Sequence, residues 1–135
     1  MAAMALNKQE IEDLLNKEEI VFIATSRTDA TPHIAPIWFV YHNGKIYFET
    51  DITTVKFQNI KRNKKVALCF GGKNTYIVEG TVRWWKEDEA PLPFRKMFWE
   101  KYKDAMDDSF INEKTRIFEV TPEKEMSWHY APSWD

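Results

Sequence analysis

The hydrophobic positions of this chain repeat with two different periods. Alternation at every second residue is cleanest over 75–85, where Tyr76, Val78, Val82 and Trp84 are expected to face inward and Glu79, Thr81 and Arg83 outward. Short apolar runs rich in β-branched and aromatic residues predict further strands at 20–26, 33–41, 45–50, 66–70 and 115–120. Spacings of three and four take over in three places. Ile11, Leu14 and Leu15 predict a helix over 7–17, opened by a capping box of Asn7 and Glu10. Phe57 and Ile60 predict a second helix from Thr53 or Thr54 to Arg62; Phe94, Met97, Phe98 and Tyr102 predict a third after Pro91 and Pro93.

Turn chemistry joins these elements. Asn43-Gly44, two residues that accept positive φ between apolar flanks, predicts a two-residue hairpin, and 28–31 and Gly71-Gly72 mark other turns. Pro36 has no N–H, so the strand 33–41 is interrupted there by a bulge, an edge or a stretch that faces ligand. Consecutive strands lack crossover helices between them, which favours an antiparallel barrel with peripheral helices over a layered α/β sheet. The expected fold class is mainly β (α+β) with six antiparallel strands, and 135 residues fit one domain over 1–135. The strand 33–41 is apolar on both faces, with Ile34, Trp38 and Val40 against Ile37, Phe39 and Tyr41. One face fills the barrel, and the other calls for a partner subunit.

Composition removes several classes. A chain with 44% hydrophobic and 30% charged residues is a packed globular protein, and its 15% aromatic content supplies core, ligand or partner surface. The single cysteine, Cys69, excludes an internal disulfide and reads as a buried thiol. No run approaches the roughly eighteen apolar residues that cross a bilayer, so a cytoplasmic location without membrane contact is expected. A net charge of −2 argues against general nucleic-acid binding. The charges are unevenly spread, however. No acid lies between Asp51 and Glu79, an interval holding Lys56, Lys61, Arg62, Lys64, Lys65 and Lys73, which forms either a solvated basic face or a site for a small anion.

Simple catalytic templates are missing. His33, His42 and His129 are scattered, and there is no paired cysteine, HExxH, GxSxG, Walker loop or GxGxxG turn. The informative segment is 33–68. There Thr50, Thr53 and Thr54 precede a helix start and Lys56 sits in its first turn. Helix N–H groups, a positive dipole end and a lysine together suit a phosphate, while the threonines are also ordinary caps.

The order of strand, Pro36-x-Trp38-Phe39, Asn43-Gly44 hairpin, Ile46-Tyr47-Phe48-x-Thr50, Lys56-x-x-Asn59 and apolar strand resembles the FMN-binding split β-barrels related to pyridoxamine 5′-phosphate oxidase. The resemblance covers about residues 18–85, with a weaker echo in 115–128. It implies a homodimer of split barrels with FMN bound between subunits and a small-molecule substrate. By position, Ala35, Pro36, Ile37, Trp38 and Phe39 would line the isoalloxazine, and Glu49, Thr50, Thr54 and Lys56 would hold phosphate and ribityl groups. Thr75 would present a polar side chain from the strand after the glycine turn.

Two departures matter. Val55 stands where the oxidase has an arginine before the phosphate lysine, so Lys61 or Arg62 would have to supply part of that charge. The oxidase's C-terminal Arg and His signature around a tryptophan is absent, so its substrate is not implied. A flavin ring performs hydride and electron transfer itself, and an enzyme of this class needs no catalytic dyad. Two alternatives share the barrel: a reductase using a deazaflavin coenzyme, with Lys61 to Lys65 facing its acidic tail, and a non-enzymatic flavin or haem carrier or sensor. Trp38 reads as either ring neighbour or barrel core. Trp128, His129 and Trp134 read as either a cover from the partner chain or a packing tail.

Overall fold

The structure, a computed structural model, describes residues 3–103 and 112–130. Its strands are β1 (Ala3–Met4), β2 (Val21–Ser26), β3 (Pro32–Ile37), β4 (Val40–His42), β5 (Lys45–Asp51), β6 (Lys65–Gly71), β7 (Asn74–Trp85) and β8 (Thr115–Tyr130). Three helices accompany them: α1 (Lys8–Lys17), α2 (Val55–Arg62) and α3 (Phe94–Tyr102). The strands pair antiparallel in one sheet of order β3-β2-β6-β7-β8-β5-β4, with β1 added along β8. Strands β3 and β4 stand at opposite ends of this order, yet only Trp38 and Phe39 separate them in the chain. That link reaches about 11 Å at most, whereas seven flat strands would span about 29 Å. The sheet therefore curls until its edges approach, giving an antiparallel split barrel with peripheral helices.

Local signals behave as the sequence predicts. Asn7 accepts from the Glu10 N–H at 2.8 Å, and the Glu10 carboxylate accepts from the Asn7 N–H at 2.9 Å, so the capping box starts α1. Asn43 and Gly44 both adopt positive φ, 50° and 76°, in the hairpin between β4 and β5.

The six predicted strands are present, with two changes. The stretch 33–41 breaks at Trp38-Phe39 rather than at Pro36; Pro36 stays inside β3, an edge strand with β2 as its one neighbour, where a missing N–H is tolerated. The strand predicted at 115–120 continues through the supposed tail to Tyr130, paired with β7 throughout. The pairing register shifts at Glu79/Gly80, where β8 inserts one extra residue, Glu123, beside Pro122. Trp128 and His129 are thus sheet residues, and Trp134 lies outside the described residues.

Inside the barrel, Phe48 and Phe118 stack at 5.0 Å, with Phe57 of α2 edge-on to Phe118 at 5.8 Å and Trp84 at 5.9 Å. Leu14 and Leu15 of α1 join this core. A second cluster lies outside it, where Phe94, Phe98 and Tyr102 of α3 cover Val40, Tyr47 and Ile117. Of the apolar face formed by Ile34, Trp38 and Val40, the last two are covered by α3 of the same chain, and Ile34 remains outward, 67% exposed. Cys69 is half-buried on the outer side, not a core thiol. Among the described residues no helix is long and apolar enough to cross a membrane.

At Gly80 two strands approach closely: a Cβ there would lie 2.4 Å from the Thr121 carbonyl oxygen, while one at Gly72 would meet nothing within 4 Å. Gly80→Ala is expected to lower unfolding free energy by about 2 kcal/mol in urea titrations, with Gly72→Ala changing it by less than about 0.5 kcal/mol.

Candidate functional site

Strand β5 ends by delivering Glu49, Thr50 and Asp51 to the start of α2. Asp51 accepts from the Thr53 N–H at 2.8 Å and from its hydroxyl at 2.7 Å, which turns the chain sharply. Thr54 then caps the helix: its hydroxyl oxygen accepts from the Phe57 N–H at 3.2 Å and donates to the Asp51 carbonyl at 2.9 Å. The Thr50 hydroxyl lies 3.1 Å from that of Thr54. The leading N–H groups of α2, at Val55 and Lys56, have no acceptor within the helix. From the opposite side the β3–β4 link brings Pro36, Ile37 and Trp38. Together with Ile20 these residues line a cleft of about 460 Å³ containing Glu49, Thr50, Asp51, Thr54 and Lys56.

Burial acts on both ionisable groups in the middle of the cleft. It lowers the Lys56 pKa, with the Glu49 carboxylate pulling the other way. It pushes Glu49 up to about 7, partly offset by Lys56 and reinforced by Asp51. Asp51 is held below the usual carboxylate range by its bonds from Thr53.

The Trp38 wall is anchored from behind. Its ring stacks on Tyr102 at 4.6 Å and 5°. The Tyr102 hydroxyl accepts from the Phe39 N–H at 3.0 Å and lies 2.8 Å from the Glu19 carbonyl oxygen and 3.0 Å from that of Phe39. Lys101 donates to the Phe39 carbonyl at 3.1 Å with its ammonium 3.6 Å from the Phe39 ring centre, and burial lowers its pKa to about 8. Tyr102 and Lys101 escaped sequence reasoning, because the spacing in α3 marks Tyr102 as a core position and nothing local connects it with Phe39. Ile20 and Asp51 were likewise missed, one reading as strand and the other only as the boundary of the acid-free interval.

The structure gathers Pro36, Ile37, Trp38, Glu49, Thr50, Thr54 and Lys56 in this cleft. Ala35 is set opposite Ile23, a residue of the barrel interior, and Phe39 is fully buried against Phe70. Thr75 lies elsewhere, its hydroxyl donating to the Gly72 carbonyl in its own turn. Lys61 and Arg62 sit at the far end of α2, about 10 Å along the axis from its start. Arg62 donates to the Ser26 carbonyl, Lys64 lies over Trp84, and Lys65 pairs with Glu123 at 2.9 Å. Lys56 is therefore the cation of the cleft, and the rest of the basic segment covers the outside of the barrel. A larger groove of about 700 Å³ runs along α3 between Leu92, Phe94 and Trp99, but its lining offers no hydroxyl and its Arg95 is bonded twice to Glu87.

The cleft borders an apolar outer face. Cross-strand pairing aligns Pro36, Phe22, Cys69, Ile77 and Met126 in one row and Ile34, Ala24 and Ala67 in the next. Phe22 and Met126 are 45% and 50% exposed, and Pro36 belongs to both this face and the cleft.

The sequence model of the family described as Pyridoxamine 5′-phosphate oxidase matches residues 8–129, which include every element that forms the cleft. The chain belongs to the pyridoxamine 5′-phosphate oxidase family. Among curated proteins none matches it. Solved structures similar to this family member include an F420 reductase, 22% identical over 84% of this chain and 94% of that one with a TM-score of 0.71. Another is an FAD-binding protein from Mesorhizobium loti, 15% identical over 97% and 100% with a TM-score of 0.70. A third is HutZ, the haem storage protein from Vibrio cholerae, 13% identical over 93% and 96% with a TM-score of 0.75. These neighbours of one fold are described by three different groups, F420, FAD and haem, so the barrel by itself does not select the group bound.

Glu49 makes stability pH-dependent in this family member. Its folded pKa of about 7 lies above the ordinary 4.5, so the unfolded chain loses the proton first and stability falls as pH rises from about 4.5 to 7, then levels off. In chemical denaturation between about pH 5 and pH 8, Glu49→Gln is expected to remove this decline, which amounts to at most about 3 kcal/mol.

Proposed function

We propose that this chain is an FMN-dependent oxidoreductase acting on a small molecule, and that it works as a homodimer joined through its apolar outer face. The observation that carries the reading is the convergence of two hydroxyls, one lysine and a helix start, Thr50, Thr54, Lys56 and the Val55 and Lys56 N–H groups, opposite the apolar wall of Pro36, Ile37 and Trp38 in one cleft. This is the donor set a phosphate monoester needs beside a surface suited to a flat ring. Bound flavin supplies reversible hydride and electron transfer. The chain's own share is to grip the phosphate through Lys56, Thr50 and Thr54, to present Trp38 rigidly through Tyr102, and to shed water from the apolar wall.

The dimer reading is supported by the adjacency of cleft and face. Phe22, Ile34 and Met126 form an exposed apolar surface larger than scattered single residues, and covering it would also close the Pro36 side of the cleft. FMN is favoured over a deazaflavin coenzyme because, of the cations of Lys61 to Lys65 offered for an acidic tail, Arg62, Lys64 and Lys65 are engaged within the barrel surface and Lys61 sits at the far end of α2 from the cleft. His33, His42 and His129 stand on three different strands, which gives no support to haem ligation.

Purified protein is expected to show flavin absorption or to quench added FMN fluorescence, with Lys56→Ala weakening FMN binding roughly 10- to 100-fold. Colourless protein that ignores FMN overturns the cofactor assignment. For the assembly, sedimentation at micromolar concentration should give a dimer that Ile34→Asp converts to monomer; a monomeric parent protein sinks the shared-interface reading.

A further inference from the structure

The cleft has a charge balance that does not suit an anion. Its lining carries one cation, Lys56, against two carboxyl groups, Glu49 and Asp51. A phosphate entering with both carboxylates ionised would meet a negative site, and like charges within a few ångströms in partly desolvated surroundings repel strongly. One carboxyl group has to be neutral for the phosphate cradle to work. Asp51 is not the candidate, because two bonds from Thr53 favour its ionised form and keep it below the usual range. Glu49 has no such donors among the described hydrogen bonds and is the more buried of the two.

We infer that anion binding in this cleft is coupled to uptake of one solvent proton by Glu49, whose neutral carboxyl then serves as a hydrogen-bond donor beside Lys56. The inference deepens the proposed FMN site and rests on that reading for the identity of the ligand, but not for the coupling itself. Groups facing Glu49 are consistent with it. Lys56 comes from α2 and Asp51 from β5; β3 and the link contribute only Pro36, Ile37 and Trp38; β8 sets Ile117 opposite Glu49. Outside the lining, Lys114 helps keep Asp51 ionised, and Arg116 is opposite Thr50 and donates to the Glu113 and Thr115 carbonyls. Burial already brings Glu49 to the edge of neutrality at physiological pH, so an arriving anion has little further work to do. Glu49 is thereby a binding residue whose contribution is switched by pH.

The test compares wild type with Glu49→Gln, a permanently neutral isostere, using FMN fluorescence quenching and, independently, inorganic pyrophosphate in thermal-shift titrations. Between about pH 6 and about pH 8.5 the wild-type affinity for either anion should fall about thirtyfold, and that of Glu49→Gln by less than about threefold. The phosphate's own ionisation is common to both proteins and cancels. Should Glu49→Gln fail to fold, wild-type calorimetry of FMN binding near pH 8, where the phosphate monoester is already ionised, in two buffers of different ionisation enthalpy gives the coupling, with about 0.9 proton taken up per anion bound. A Gln variant that keeps the wild-type decline, a wild type with none, zero proton uptake, or no anion binding at either pH overturns the inference. Pyrophosphate binding with the Glu49-dependent decline, but no FMN binding, sustains it while removing the flavin reading.

Discussion

Trp38 and Phe39 tie the two ends of the sheet together, and a connection that short leaves the seven strands of the path no flat solution. The curl it enforces also takes the Phe39 peptide out of the sheet ladder, so a buried N–H and carbonyl must find partners elsewhere. Tyr102 and Lys101 supply them from the last turn of α3. The same tyrosine ring stacks on Trp38, so that closure of the barrel, docking of α3 and the shape of the cleft wall are consequences of one arrangement.

The opposite wall depends on a different economy of groups. Over eight residues, from Glu49 to Lys56, the chain ends a strand, turns through Asp51 and Thr53, and starts a helix on Thr54. Thr54 serves at once as helix cap and as cleft lining, so the capping reading of the threonines holds for Thr54 and leaves its side chain at the cleft wall. Partial burial draws Glu49 and Lys56 toward their neutral forms, leaving the cleft electrically adjustable where a fully exposed pair would stay ionised. Asp51, tied to Thr53, does not share in that adjustment.

Neighbours of 13% to 22% identity keep this barrel while bearing descriptions that involve F420, FAD or haem. A scaffold whose closure is set by chain connectivity and a ring-rich interior tolerates such change, because the interior asks only for volume and apolarity. Specificity then falls to the few side chains at the β5–α2 junction and on the β3–β4 link. Val55 at the first position of α2 illustrates this: it adds no charge to the cleft, while Arg62 at the end of the helix and Lys64 and Lys65 beyond it are drawn outward to Ser26, Trp84 and Glu123.

By itself the sequence determined what depends on neighbours a few residues apart. The Asn7–Glu10 box, the Asn43-Gly44 hairpin, a threonine cap at Thr53 or Thr54 and the alternation of β7 are all settled within one turn or one hairpin, and the motif from Pro36 to Asn59 carried most of the cleft. Tertiary structure alone decided what depends on distant partners. Tyr102 meets Phe39 across 63 residues, β8 runs on to Tyr130 because β7 offers a full-length edge past Pro122, and α3 covers Val40 and Trp38 on one of the two apolar faces of 33–41. Propensity and spacing describe how a segment prefers to bend, whereas these outcomes follow from which surfaces remain unpaired once the sheet has closed, a quantity no local window contains.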